Sequence, residues 1–172
     1  IEEARELRAK AWEEADALLA SALNGIFSQL SAENVERWSL SNLELCRLVP
    51  GQHIMSRDYN LDGEGTPYIT GPADFGTRFP EVSKWTISPK SFSEPGDVLV
   101  TVKGAGVGKI NYAPDFPLCI GRQVMALRPN GKRLVRDYLY YFLMDNYDYF
   151  QGVARSTTVP GLRREHIWDM NI

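Results

Sequence analysis

Residues Pro95–Pro129 read PGDVLVTVKGAGVGKINYAPDFPLCIGRQVMALRP. Two apolar runs, Asp97–Lys103 and Val107–Tyr112, flank a glycine-rich turn, and a third, Gln123–Leu127, follows. Short runs of Val, Leu and Ile bounded by Gly and Pro predict strands. The turn Gly104-Ala-Gly106-Val-Gly108-Lys109 predicts a hairpin whose glycines take positive φ. From Thr101 to Arg136, seven Lys or Arg stand against a single acid, Asp115. One-sided charge on glycine-punctuated strands, with no catalytic grouping beside it, points to a surface that holds a polyanion.

Working outward, the same punctuation recurs. Leu40, Leu43, Leu45 and Leu48 alternate within Ser39–Val49. Pro67–Thr70 and Trp85–Ile87 predict short strands, separated by the irregular loop Gly71–Pro80. Asn60–Thr66 is turn-rich. Val135–Asn146 carries aromatic and aliphatic residues at helical spacing, and Arg163–Trp168 predicts one further helical turn. Residues 37–172 therefore predict an α+β domain in which strands dominate. The aromatic run Tyr138, Tyr140, Tyr141, Phe142, Tyr147, Tyr149 and Phe150 suits the core and rim of a helix better than a base-stacking platform.

Residues 1–36 are of another kind. No Pro interrupts residues 1–30, the only Gly there is Gly25, and strong helix formers dominate. Ala4, Leu7, Ala11, Ala15, Leu18, Ala22, Ile26 and Leu30 recur every three or four residues and form one narrow stripe. Thirty helical residues span ~45 Å, long for a globular helix. Either the helix docks on its own domain, or it is a coiled-coil arm whose partner lies outside this chain. In the second case Leu7, Ala11, Ala15, Leu18, Ala22 and Ile26 form the partner-helix interface.

The net charge of −3 over 172 residues averages two unlike parts. Residues 1–36 hold eight acids and three bases, whereas residues 37–172 hold sixteen bases and fourteen acids. Partners are therefore judged segment by segment. Cys46 and Cys119 are far apart and form no metal-ligand cluster with His53 and His166, so buried free thiols in a reducing cytoplasm are expected. No apolar run approaches the ~20 residues of a membrane span.

Nucleotide and catalytic motifs fail on spacing. A phosphate-binding loop needs four residues between its glycines and Ser or Thr after the Lys. Here three residues lie between Gly104 and Gly108, and Ile110 follows Lys109. No Asn or Asp precedes a Pro-Pro-aromatic, as an adenine methyltransferase would need. Pro114-Asp115 has no downstream Glu-x-Lys, as a metal-dependent nuclease would need. No catalytic residue, cofactor or metal is expected. Donors suited to DNA remain. Arg122 and Gln123 follow Gly121, and these side chains can pair with guanine and adenine through two hydrogen bonds each. Lys103 and Lys109 flank bare glycine amides, and Arg155, Ser156 and Thr157 offer phosphate donors. Each of these could equally be a solvated loop or strand residue.

Four segments in order, PYITGPADFG (67–76), GDVLVTVKGAGVGKI (96–110), CIGRQVMALRP (119–129) and RSTTVPGLRREHIWDMNI (155–172), resemble the target-recognition domain of type I restriction-modification specificity subunits. The resemblance covers about residues 38–172, and the long preceding helix resembles that family's spacer helices. It implies a non-catalytic subunit that reads one half of a split double-stranded DNA site. It implies modification (methyltransferase) and restriction subunits as partners, which would bind S-adenosylmethionine and ATP themselves. A second target-recognition domain or a second copy of the chain would complete the site. By position, Thr70, Gly71 and Arg78, then Lys103, Gly104, Gly106 and Lys109, then Arg122 and Gln123, match the family's DNA side. Two rivals stand beside this reading: the recognition region of a single-chain methyltransferase-nuclease, and a protein-interaction scaffold that never touches DNA.

Overall fold

The structure, a computed structural model, describes residues 2–32, 37–42, 45–156 and 161–172. Leu43 and Thr157 lie outside the described residues. The chain divides into two compact units, residues 1–36 and 37–172.

The first unit is one helix, α1 (Glu2–Ala32). Its apolar stripe is exposed from Ala4 to Ile26. Leu7, Leu18 and Ile26 are 63%, 72% and 53% exposed, and Ala11, Ala15 and Ala22 are exposed with them.

The second unit is built on two sheets. The first holds β1 (Cys46–Pro50), β9 (Val124–Pro129), β6 (Val98–Thr101) and β7 (Ile110–Tyr112) in that spatial order, all antiparallel. The second holds β2 (Tyr59–Asn60), β4 (Lys84–Thr86), β3 (Thr66–Ile69), β8 (Leu118–Ile120) and β5 (Phe92–Ser93). Here β3 and β8 run parallel, with Tyr68 opposite Cys119. The sheets share one core. Leu99, Val124 and Ala126 from the first meet Ile69, Leu118 and Ile120 from the second, with Val49, Phe75 and Val82 at its margin. All four residues of β6 are buried, so it reads as a continuous apolar run and not as an alternation.

Helix α2 (Arg136–Asp145) packs on β6, β7 and β9 and buries Leu139, Phe142 and Leu143. The helical pattern predicted over Val135–Asn146 stops at Asn146, whose backbone N–H and side-chain amide both donate to the Phe142 carbonyl. A separate helix, α3 (Tyr147–Ser156), follows and buries Phe150 and Ala154. The short α4 (Arg164–Trp168) leads to the last residues, where Ile172 and Trp38 exchange backbone hydrogen bonds of 2.9 and 3.1 Å.

Cys46 and Cys119 are both buried and free. Burial, with Asp97 nearby, pushes the Cys46 thiol up to about 12. No described helix is long and apolar enough to cross a membrane, and no His, Cys, Asp or Glu cluster among the described residues suits a metal ion.

Candidate nucleic-acid interface

The hairpin between β6 and β7 closes with Gly104 at φ 89° and Gly108 at φ 83°, both in the left-handed region. The strand predicted from Val107 accordingly starts only at Ile110. The buried Thr101 hydroxyl donates to the Gly106 carbonyl from inside the turn. From outside, α3 supports it: the Gln151 side chain donates to the Val107 carbonyl, and a side chain at Gly108 would press on Phe150 and Tyr147. The turn is braced and not a loose loop, with Gly106, Val107 and Gly108 buried.

Two distant segments meet this turn. A side chain at Gly106 would overlap Pro72, so the 70–74 loop packs against the turn's outer edge. The Gln123 side chain lies between Gly71 and Gly104: a Cβ at Gly71 would overlap its amide, and one at Gly104 would stand 3.4 Å from Nε2. The Gln123 backbone is fixed by Val102, which donates to its carbonyl at 2.7 Å. The Gln123 amide makes no hydrogen bond to any described residue. Thr70, Gly71, Gly104, Gly106, Lys109, Arg122 and Gln123 are thus gathered on one rim from three separate parts of the sequence.

Thr70 is held from behind. Its N–H and hydroxyl both donate to Asp74 Oδ2, at 2.6 and 2.7 Å, while Lys84 Nζ donates to Oδ1 at 2.9 Å. Asp74 is only 6% exposed. Burial alone would raise its pKa, but the hydrogen bonds from Lys84 and Thr70 outweigh it and hold the carboxyl below its ordinary value. The Thr70 hydroxyl is therefore spent on the loop. Sequence reading missed Asp74 and Lys84, which stand ten residues apart with no motif joining them.

The seven-cation stretch divides in space. Arg128 grips the fully buried Asp97 through Nε and Nη2 at 2.9 and 3.0 Å, and Glu94 through Nη1 at 2.8 Å. Arg136 pairs with Asp137 and stands over the Tyr112 ring, and Arg133 stands over Trp38. The acids that answer Arg128 and Arg136 lie outside the Thr101–Arg136 window, where counting along the chain does not see them. Lys103, Lys109 and Arg122 are exposed and make no ion pair among the described residues.

The remaining candidates are placed elsewhere. Arg78 lies over Tyr112 at 5.3 Å, opposite the end of β7 from Lys109. Tyr112 stacks on Tyr140 with centroids 4.0 Å apart; burial, with Asp137 nearby, pushes its phenol up to about 12. Lys103 bridges to Gly161 beside the turn. Arg155 and Ser156 are exposed at the end of α3, where the Ser156 hydroxyl donates to the Val153 carbonyl at 2.8 Å.

Beside Arg122 and Gln123 opens a groove of about 840 Å³, also lined by His53, Met55, Arg57, Tyr59, Tyr68 and Thr70. Among the described residues, the groove and the rim beside it present cations without ion pairs and the Gln123 amide without a hydrogen bond, with Gly104 the exposed glycine of the turn. That set suits a phosphate backbone and base edges.

Comparison with known proteins adds lineage. The model of the family "Type I restriction modification DNA specificity domain" matches residues 39–172. A putative type I restriction enzyme MjaX specificity subunit of Methanocaldococcus jannaschii is 34% identical over 111 residues, covering 64% of this chain and 26% of that protein. The crystal structure of the HsdS subunit from Thermoanaerobacter tengcongensis superposes with a TM-score of 0.76 at 31% identity, over 99% of this chain and 41% of that one. A chain from a structural study of complex assembly and conformational transition of the type I R-M system gives 0.79 at 32% identity, over 99% and 42%. The S subunit from M. genitalium, at 17% identity and a TM-score of 0.64, shares the fold. The chain spans about a quarter of the curated relative's length and about two-fifths of these solved chains.

Proposed function

The chain belongs to the type I restriction modification DNA specificity domain family, and on that premise we propose that residues 37–172 read one half of a split double-stranded DNA site. The observation that carries this reading is the convergence of Gly71, the Gly104–Lys109 turn and Arg122–Gln123 on one rim, where among the described residues the cations make no ion pair and the Gln123 amide no hydrogen bond. Lys103, Lys109 and Arg122 contact phosphates and guanine edges, and Gln123 offers adenine a donor and an acceptor at once. Arg155 and Ser156 extend the phosphate contacts along the end of α3. Thr70 serves the rim as a loop anchor. Arg78 acts as a second, outlying cation.

Residues 1–36 act as a spacer. The exposed stripe Leu7, Ala11, Ala15, Leu18, Ala22 and Ile26 packs against a partner helix in a coiled coil. That partner belongs to a modification subunit, to a second target-recognition domain or to a second copy. The chain itself carries out no methylation or cleavage in the cytoplasm; it positions the modification and restriction subunits that do, and needs no cofactor of its own. Incubating the chain with labelled S-adenosylmethionine and DNA should give no labelled DNA, whereas a mobility shift with a selected duplex should appear and weaken steeply with salt. Methyl transfer by the isolated chain, or no shift at low salt, would sink the proposal.

A further inference from the structure

The groove beside Gln123 has a second wall that no sequence motif announced. Gly51 and Gln52 leave β1 and donate backbone hydrogen bonds to the Val124 and Ile120 carbonyls, at 2.9 and 3.1 Å, one on each side of Gly121–Gln123. The approach is close enough that a side chain at Gly51 would overlap the Gly121 carbonyl. The segment that follows is fixed to the second sheet. Ile54 is buried with Tyr68 and Cys119, and Tyr59 packs against them. The Asp58 N–H donates to the Met55 carbonyl at 2.9 Å, and the Thr86 hydroxyl donates to the Asp58 carbonyl at 2.6 Å. His53, Met55 and Arg57 flank the buried Ile54, are exposed, and line the groove.

Among the described residues no acid lines this groove. The Arg57 side chain is 78% exposed, and its nearest carboxylate, Asp58 Oδ1, stands 3.8 Å from Nε. A pair that long and that exposed holds the guanidinium only weakly, so its donors stay available at the groove it lines. Arg57 on one wall and Arg122 on the other then bracket a concave, acid-free channel with Gln123 beside it. We propose that Gln52–Arg57 is a second DNA-contacting wall, in which Arg57 neutralises a backbone phosphate of the duplex that Arg122 and Gln123 face. This rests on the DNA-recognition reading above, and it assigns the first contact to a segment outside all the stretches that suggested that reading.

The test is the salt dependence of duplex binding by the 172-residue chain, read by fluorescence anisotropy between ~50 and ~200 mM salt. Losing one phosphate contact lowers the slope of log K against log salt by about 0.9. Arg57→Ala should show that reduction, and Arg57→Lys, which keeps the charge, should restore most of it. Lys132→Ala removes an exposed charge beyond the far end of β9, roughly 20 Å of strand from Gln123, and should leave the slope unchanged. An unchanged slope for Arg57→Ala, or an equal reduction for Lys132→Ala, overturns the second wall while leaving the DNA reading intact. Absence of binding by the unaltered chain overturns both.

Discussion

The Gln123 side chain occupies the space that a side chain on Gly71 would fill. Gly71 has φ 175°, extended backbone that any residue adopts, so conformation does not demand glycine there. What demands it is Gln123, whose amide would be displaced by a methyl group. A glycine that the family resemblance places on the DNA side leaves room for the residue proposed to read it. Gly71→Ala should therefore fold, at a cost of roughly 0.5–1.5 kcal/mol of rotamer strain, while lowering discrimination at one base pair by ~1–3 kcal/mol. Gln123→Ala should lose the same discrimination, and the double variant should lose no more than either alone. Competition binding on matched and singly substituted duplexes measures this; additive losses would separate the two residues.

Arg128 behaves differently from the other cations of its stretch. Removing it leaves Asp97 fully buried without its bidentate partner. Arg128→Ala should destabilise the second unit by about 3 kcal/mol or more, because an uncompensated buried carboxylate remains. Denaturant unfolding checks the size. The folded fraction should keep the same salt dependence of DNA binding, since Arg128 is spent inside the protein.

Asp74 makes stability depend on acid. Its carboxyl titrates below the ordinary value when folded, so the unfolded chain takes up its proton first as pH falls. The stabilisation is fully present above the unfolded carboxylate pKa, ~3.9, and is lost as pH drops through that value toward the folded one. Asp74→Asn should remove this contribution, reduce stability at neutral pH and flatten the acid limb of a stability–pH curve. A variant that keeps the steep acid limb would place its source in other carboxylates.

The stripe on α1 predicts association. Leu18 and Ile26 are exposed in this chain, so changing both to Asp should leave helix content and the second unit's unfolding midpoint unchanged. Within a coiled-coil seam the same charges would be buried without partners, at heavy cost. Sedimentation should show the unaltered chain joining a second copy or a modification subunit, and the double variant remaining alone. Unfolding of the whole chain by the double change would contradict the spacer reading.

What the sequence disclosed follows the range of its interactions. The hairpin around Gly104–Gly108 was legible because its apolar runs and glycines are contiguous. The helical spacing after Val135 was legible for the same reason, and so was its end at Asn146, where the side-chain amide bonds back to Phe142; the separate helix α3 that follows was not. The parallel pairing of Tyr68 with Cys119 spans about fifty residues and leaves no periodic trace. The rim around Gln123 was half legible. Arg122, Gln123 and the glycines suggested it singly, but their convergence depends on Val102 bonding to Gln123, Gly121 bonding to Ile69 and Pro72 packing against Gly106. The charge count was the least reliable guide, because Arg128 and Asp97 are thirty-one residues apart and touch.

The central claim is that residues 37–172 read DNA sequence. The most direct test is selection of bound duplexes from a random-sequence pool by the 172-residue chain, followed by binding measurements on the winning site and on single-base variants of it. The account predicts one short enriched motif and losses of ~1–3 kcal/mol for single mismatches within it, diminished at one position by Gln123→Ala. A pool that returns no motif, with affinity set by salt alone, would contradict it.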